Sequence, residues 1–271
     1  MASVTLPRVG RSAAALVAWV AALLVVLAQI VYSMTDPAAR LPTTVVSVVA
    51  FAVASVCDAA VRAGVRAAGR LVLVAGGGGL LAEAVGVHTG FPFGEYRYTG
   101  SLGFAVFGVP AVVPLAWVMM AWPALLVGRA LAGAGRPLWL VVPFGAWALA
   151  SWDVFLDPQM VDAGHWVWAH PAPGLPGVAD VPLTNFAGWA LVAVAMVLLL
   201  HRGVPPDIGL DLRAGPAPVL YLWTYGSSVW AHAAFFDRPW VSLVAGVLMG
   251  LVAVPFAVIL VRTSLRTALP R

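Results

Sequence analysis

The stretch Ala13–Val31, AAALVAWVAALLVVLAQIV, carries no charged residue from end to end. A helix needs about 20 predominantly apolar residues to cross the hydrocarbon core of a bilayer, so this run reads as a membrane span. Arg8 and Arg11 precede it as they would a secretory signal. The run is long enough to cross, however, and no small-residue cleavage site follows it, so a retained first helix is expected. The rest of the chain repeats the pattern. Of its 271 residues 62% are hydrophobic and only 10% charged, against about 25% charged in soluble domains. Lipid is therefore the expected solvent.

Further spans are expected near residues 42–61, 70–87, 105–128, 137–156, 184–201, 216–236 and 239–262, beside the first at 13–33. The predicted fold is an all-α bundle of about eight transmembrane helices, one polytopic membrane domain over 1–271. The third span is the weakest, because Gly76 to Gly79 and Glu83 interrupt it. The tight Phe235–Trp240 connection would let the last two spans form a hairpin, so seven spans is the alternative. Arginine placement bears on the count, since cytoplasmic loops carry the positive excess. With eight spans and the N-terminus inside, Arg8, Arg11, Arg62, Arg66, Arg70, Arg129, Arg136, Arg202, Arg213, Arg262, Arg266 and Arg271 are cytoplasmic, and Arg40, Arg97 and Arg238 are outside. That twelve-to-three split supports an even number of spans with both termini cytoplasmic.

All 15 basic residues are these scattered arginines, which form no tract suited to nucleic acid, so no nucleic-acid partner is expected. Cys57 is the single cysteine, which rules out a disulfide framework and a cysteine-based zinc site within this sequence. His88, His165, His170 and His232 show no metal-binding spacing such as HxxxH, and no metal is expected. Gly76 to Gly79 lack the Lys-Ser/Thr of a phosphate loop and read as a close helix contact.

Acidic residues inside a membrane are costly and become functional candidates. Asp58 lies four residues before Arg62, and a local ion pair is its expected role. Glu83 and Asp153 have no cationic neighbour in sequence. Asp153 and Asp157 are four apart, on one helix face, beside Trp152 and ahead of Pro158, which is expected to limit the helix. Two acids in one apolar niche cannot both ionise cheaply, so one is expected to hold a proton and serve as a general acid. A DxxxD pair holding magnesium for a diphosphate would need a second aspartate-rich set, and none is visible.

The two longest connections, Val87–Phe104 and Asp157–Leu183, fall on the non-cytoplasmic side of this topology, and loops of that length usually have a purpose. The first contains Glu95 and Arg97, readable as a solvated rim pair or as substrate-positioning groups. Trp152, Trp166, Trp168, Trp189, Trp230 and Trp240 gather near the same interface and read mainly as an aromatic belt. Tyr221, Tyr225, Ser228 and His232 share one face of the seventh span, where they pack the core or line a cavity. Glu83, His88, Asp153, Asp157, Asn185 and His232 are expected to converge around one cavity near this membrane face.

Four segments in order carry a resemblance: His88-Thr-Gly-Phe-Pro-Phe-Gly-Glu-Tyr-Arg-Tyr-Thr99; Phe107-Gly-Val-Pro110 with Pro114-Leu-Ala-Trp117; Trp152-Asp-Val-Phe-Leu-Asp-Pro-Gln-Met160; and Pro182-Leu-Thr-Asn-Phe-Ala-Gly-Trp189. Over roughly residues 80 to 200 the chain resembles the membrane-bound carotenoid biosynthesis family that includes CruF-type carotenoid 1,2-hydratases and bisanhydrobacterioruberin hydratases. The resemblance implies addition of water across the terminal 1,2 double bond of an acyclic carotenoid end group, giving a tertiary alcohol. Protonation at carbon 2 leaves a tertiary cation at carbon 1, which needs an undissociated acid, water and electron-rich walls.

On residue chemistry the acid is assigned to Asp153 first and Glu83 second, with Asp157 or a histidine ordering the water. Trp152, Tyr98 and Trp189 are candidate walls, and His88, Glu95, Arg97, Asn185, Tyr225 and His232 candidate substrate-binding residues. The expected partners are the acyclic carotenoid, membrane lipid and other enzymes of the carotenoid pathway, in the plasma membrane of a prokaryote. No redox cofactor or metal is required by this chemistry. A carotenoid cyclase would use the same protonation and capture the cation with an internal alkene. A carotenoid carrier would need no buried acid.

Overall fold

The computed structural model describes residues 8–133, 135–206 and 208–268. Arg271, assigned above to the cytoplasmic set, lies outside the described residues. The chain forms α1 (Arg8–Met34), α2 (Leu41–Ala63), α3 (Val65–Leu71), α4 (Gly78–Thr89), α5 (Val112–Ala132), α6 (Leu138–Asp162), α7 (Leu183–Gly203), α8 (Ala217–Ala234) and α9 (Pro239–Ala268). A π-helical turn over Val72–Gly77 joins α3 to α4 in one continuous rod, Val65–Thr89. Among the described residues, seven helices are long and apolar enough to cross a membrane: this rod with α1, α2, α5, α6, α7 and α9. The result is an all-α membrane bundle.

The seventh span expected from sequence exists as α8, but Tyr221, Thr224, Tyr225, Ser227, Ser228 and His232 leave it too polar to stand among those seven. Thr224, Ser227 and Ser228 line an internal cavity, so the helix trades lipid-compatible residues for an inward polar face. The fourth expected span also starts later, at Val112. Ahead of it, Phe107 (φ 52°) and Gly108 (φ 81°) turn the chain between two short strands, β2 (Ala105–Val106) and β3 (Val109–Pro110). The expectation that Pro158 limits its helix is corrected: α6 runs through Pro158 to Asp162. Proline removes one backbone hydrogen bond while its φ stays helical, and packing in a bundle offsets that loss.

Glycine sets the helix spacing around the future site. A Cβ on Gly79 would lie 2.6 Å from the Trp117 ring, so the glycine lets α4 press against α5 and carries Glu83 over Trp117. A Cβ on Gly188 would lie 2.6 Å from the Pro92 carbonyl oxygen, so the loop after α4 can rest on α7. In lipid there is no water to expel between apolar helices, and such close approach is what holds them together.

The two long loops are zipped to each other. Strand β1 (Tyr96–Tyr98) pairs antiparallel with β4 (Trp166–Trp168), with Tyr96 opposite Trp168 and Tyr98 opposite Trp166. Strand alternation sends these four aromatics to the bundle side and Arg97 and Val167 outward, where both are exposed.

At the opposite end Asp58 meets Arg62 at 2.6 Å, as expected from their spacing. The Asp58 carboxylate also accepts the Trp122 indole N–H at 2.8 Å and the Ala217 backbone N–H at 3.0 Å. Arg62 donates to the carbonyls of Gly209 and Gly215. This buried pair therefore ties α2 to α5 and to the chain entering α8, a structural role.

Candidate active site

On α6, Asp153 and Asp157 project from one helix face toward the first turn of α7, where Asn185 sits. The Asn185 amide nitrogen donates to Asp153 Oδ2 at 2.8 Å and to Asp157 Oδ2 as well. Both its N–H groups are thereby committed, one to each acid. Trp166 Nε1, delivered by β4, donates to Asp157 Oδ1 at 3.2 Å. Asp153 Oδ1 is buried and receives no donor among the described residues. The three side chains are almost wholly buried, at 0%, 3% and 2% exposure for Asp153, Asp157 and Asn185. The two acids are in electrostatic contact.

Glu83 is organised differently. Its Oε2 accepts the Tyr96 hydroxyl at 2.5 Å and the Tyr98 hydroxyl at 2.8 Å, and its Oε1 accepts Trp117 Nε1 at 3.1 Å. Three donors converge on one carboxyl, the arrangement that suits its anion. Burial first and the neighbouring Glu83 charge second push the Tyr96 and Tyr98 hydroxyls up from their ordinary pKa, so both remain O–H donors. Glu83 thus fastens the zipped loops to α4 and α5.

All of these groups except Asp153 border a cavity of about 600 Å³. Glu83, Asp157, Asn185, Tyr96, Tyr98 and Gln159 give it a polar end, and Trp117, Trp152, Trp166, Trp168 and Trp189 wall that end. Trp117 and Trp189 stack at 3.8 Å, and Trp152 meets Trp189 edge-on at 6.1 Å. From there the lining becomes mainly apolar, through Phe51, Phe155, Leu156 and Leu222, toward α1 and α2. At that far end Trp223 Nε1 donates to Gln29 Oε1 at 2.8 Å, and Gln29 Nε2 donates to Ser47 at 3.2 Å. The cavity is thus mainly apolar, with the acids at one end and a small uncharged polar group at the other.

Of the residues expected to converge, Glu83, Asp157 and Asn185 line the cavity, and Asp153 joins them through Asn185. Trp152, Trp189 and Tyr98 also line it. Others lie elsewhere. His88 is exposed, with Nδ1 at 2.7 Å from the Ala84 carbonyl. His232 is buried behind the wall between Phe155 and Phe236, with Nδ1 at 2.9 Å from the Ser228 carbonyl. Tyr225 donates to the Gly246 carbonyl at 3.2 Å and fastens α8 to α9. Glu95 and Arg97 are exposed, and Glu95 faces His170 at 3.8 Å. The physical reason for the last two is the strand period, which turns them away when Tyr96 and Tyr98 turn in.

Sequence reasoning passed over Tyr96, Trp117 and the Gln29, Ser47 and Trp223 group. The Tyr-Arg-Tyr alternation was a readable signal for Tyr96. Trp117 ends one of the segments that carry the resemblance, but it sits in an apolar run whose pattern reads as packing. Among the described residues, no group of three or more His, Cys, Asp or Glu side chains could hold a metal ion.

Comparison with known proteins bears on the same region. A family model described as "Carotenoid biosynthesis protein" matches residues 42–254, which takes in α2 to α8, both long loops and most of α9. A bisanhydrobacterioruberin hydratase from Haloarcula japonica is 34% identical over 137 residues. That match covers 49% of this chain and 42% of the relative, so the chain spans less than half the length of that protein. No solved structure matches the chain.

Proposed function

This chain belongs to the carotenoid biosynthesis protein family, and from that premise we propose that it is a hydro-lyase adding water across the terminal 1,2 double bond of an acyclic carotenoid end group. The observation that carries the reading is the Asp153–Asn185–Asp157 constellation at the acidic end of a mainly apolar cavity. The partial similarity to a protein named as a hydratase supports it.

Two carboxyls sharing one amide in a water-poor site would repel each other as a pair of anions, so one proton resides on the pair. Asp153, whose Oδ1 receives no donor, holds that proton at rest. Asp157 lines the cavity, so the shared proton passes from Asp153 to Asp157, its neighbour in the pair, and from Asp157 to substrate. The polyene lies along the apolar slot with its end group at the acids. Proton transfer to carbon 2 uses the alkene's electron pair and leaves a tertiary cation at carbon 1. Trp152 and Trp189 border that position, and an indole face near a cation contributes about 0.5 to 2 kcal/mol. Water then attacks carbon 1 and returns its extra proton to the Asp157 carboxylate, which restores the pair. The net change is one added water, with no electron transfer, so the chemistry calls for no cofactor.

Glu83 is assigned to scaffolding, because its carboxylate is already matched by three donors. Polar lining at the acid end, including Gln159 and Asn185, supports water as the nucleophile. The setting is a prokaryotic plasma membrane, where the carotenoid enters from lipid and other pathway enzymes act on the same pool. Expression in a host that accumulates an acyclic carotenoid tests the reading. The expected product is heavier by one water per modified end. A product of unchanged mass with altered absorption means ring closure, and unchanged carotenoid means a carrier.

A further inference from the structure

The sequence holds three side chains that end in an amide, Gln29, Gln159 and Asn185, and all three line the cavity that holds the acids. Two of them have partners. Asn185 gives its N–H groups to Asp153 and Asp157, and Gln29 is bonded to Trp223 and Ser47. Gln159 differs. Its backbone carbonyl accepts from the Ala163 N–H, but its side-chain amide has no hydrogen-bond partner among the described residues. Nor is that amide sealed away. The residue is half-buried, and the unpartnered polar atoms shut inside the protein, Asp153 Oδ1 among them, do not include those of Gln159.

Gln159 belongs to the stripe of α6 that faces the cavity: Trp152, Phe155, Leu156, Gln159 and Met160 follow helical spacing. Every other member of that stripe is hydrophobic. An amide inside a membrane span costs free energy unless it meets a polar partner, and a partner that the protein does not supply must come from the contents of the cavity. The polyene and its alkene end carry no hydrogen-bonding group. Water does. A water held in a protein site needs two or more polar contacts, and Gln159 together with Asp157, which lines the same cavity, offers them. Helical side chains lean back over the preceding turn, which brings the Gln159 amide toward the depth of Asp157.

We propose that Gln159 holds the water that captures the cation, a role that rests on the hydration reading above. Its amide oxygen accepts one O–H of that water, and the Asp157 carboxylate left by proton transfer accepts the other. The lone pair of the water is then directed at carbon 1. The new C–O bond forms from that lone pair, and the proton facing Asp157 passes to its carboxylate, which leaves the alcohol and restores the acid. An amide suits this place because it orients water without taking the proton, as a carboxylate or an imidazole would. With an apolar residue there, the cation loses a proton from a neighbouring carbon or closes a ring.

The test uses the full chain in detergent, supplied with an acyclic carotenoid in deuterated water. Carboxyl protons exchange with solvent, so each molecule that reaches the cation gains deuterium at carbon 2. Mass spectrometry then separates labelled alcohol from labelled carotenoid that has taken up no water. Gln159→Met keeps the length of the side chain and removes its amide. It should raise the ratio of labelled unhydrated carotenoid to labelled alcohol at least about tenfold, because the attacking water turns positive and its bond to the amide is charge-assisted. Total labelling should persist, since the acids are untouched. Gln159→Leu is the second variant and should shift the ratio the same way. The ratio is internal to each sample, so the amount of folded protein does not enter it. If the unmodified chain makes labelled alcohol and both variants keep its ratio, the proposal is overturned. A fall in labelling at unchanged ratio, or loss of all labelled product in both variants, overturns it too, because Gln159 then serves the fold or the proton transfer. Labelled carotenoid without alcohol from the unmodified chain refutes the hydration reading itself, and this proposal with it.

Discussion

Replacing Glu83 with glutamine separates scaffold from acid. Glu83 accepts two phenol hydroxyls on Oε2 and one indole N–H on Oε1. In the amide, one oxygen becomes an NH₂ group that can only donate. If the remaining oxygen keeps the phenols, Trp117 Nε1–H faces another donor, and a buried unpaired donor costs about 1 to 3 kcal/mol. The phenol bonds also fall from charge-assisted to neutral, a loss of roughly 0.5 to 1 kcal/mol each. The sum is about 2 to 5 kcal/mol of stability, which lowers the unfolding midpoint by roughly 5 to 15 °C for a chain of this size. With Glu83 as the proposed scaffold and Asp157 as the proposed donor, kcat per folded molecule should stay within about tenfold of the unmodified chain, well short of the loss general-acid removal brings. Thermal unfolding in detergent and turnover normalised to folded protein measure the two quantities. An unchanged midpoint would refute the hydrogen-bond argument, and a kcat loss of about 10² or more would make Glu83 the acid.

Asp157→Asn should lower kcat by about 10²- to 10⁴-fold with the protein still folded, and Asp153→Asn should do the same if the pair shares its proton; near-normal turnover in both would remove the pair from the mechanism. Arg62→Gln leaves the buried Asp58 charge without its partner and should cost about 3 to 5 kcal/mol in unfolding experiments, with kcat of the folded fraction unchanged. Gly79→Val must push the Trp117 ring aside and should destabilise by about 1 to 3 kcal/mol or more, detected as lost accumulation in the membrane. His88→Ala, on an exposed side chain, should leave stability within about 0.5 kcal/mol and turnover unaltered; a large kinetic loss would bring that loop into the site.

Hydrophobic runs made the bundle legible, because lipid demands long apolar helices and the chain can hide few alternatives. The α8 segment was harder: its inward polar face lowers hydropathy, so the same residues argue for a span and against it. Asp153 and Asp157 were legible as one facing pair from their spacing alone. Asn185 was legible only as a polar residue at the same depth, since nothing in a sequence shows that one amide reaches both acids. The pairing of Tyr96 with Trp168 joins residues far apart in the chain, so the loop zipper was out of reach even though each loop was marked by its length. His88 and His232 were over-read because matching depth in the membrane does not fix which way a side chain turns.

In the proposed hydration, water from solvent becomes the hydroxyl of the product. Purified protein supplied with an acyclic carotenoid in water enriched with the heavy oxygen isotope, followed by mass spectrometry of the product, tests it directly. The expected product is a tertiary alcohol at the end group carrying the heavy isotope in proportion to the solvent, formed without oxygen gas or added cofactor. A product with no new oxygen, or with oxygen that does not match the solvent label, would contradict it.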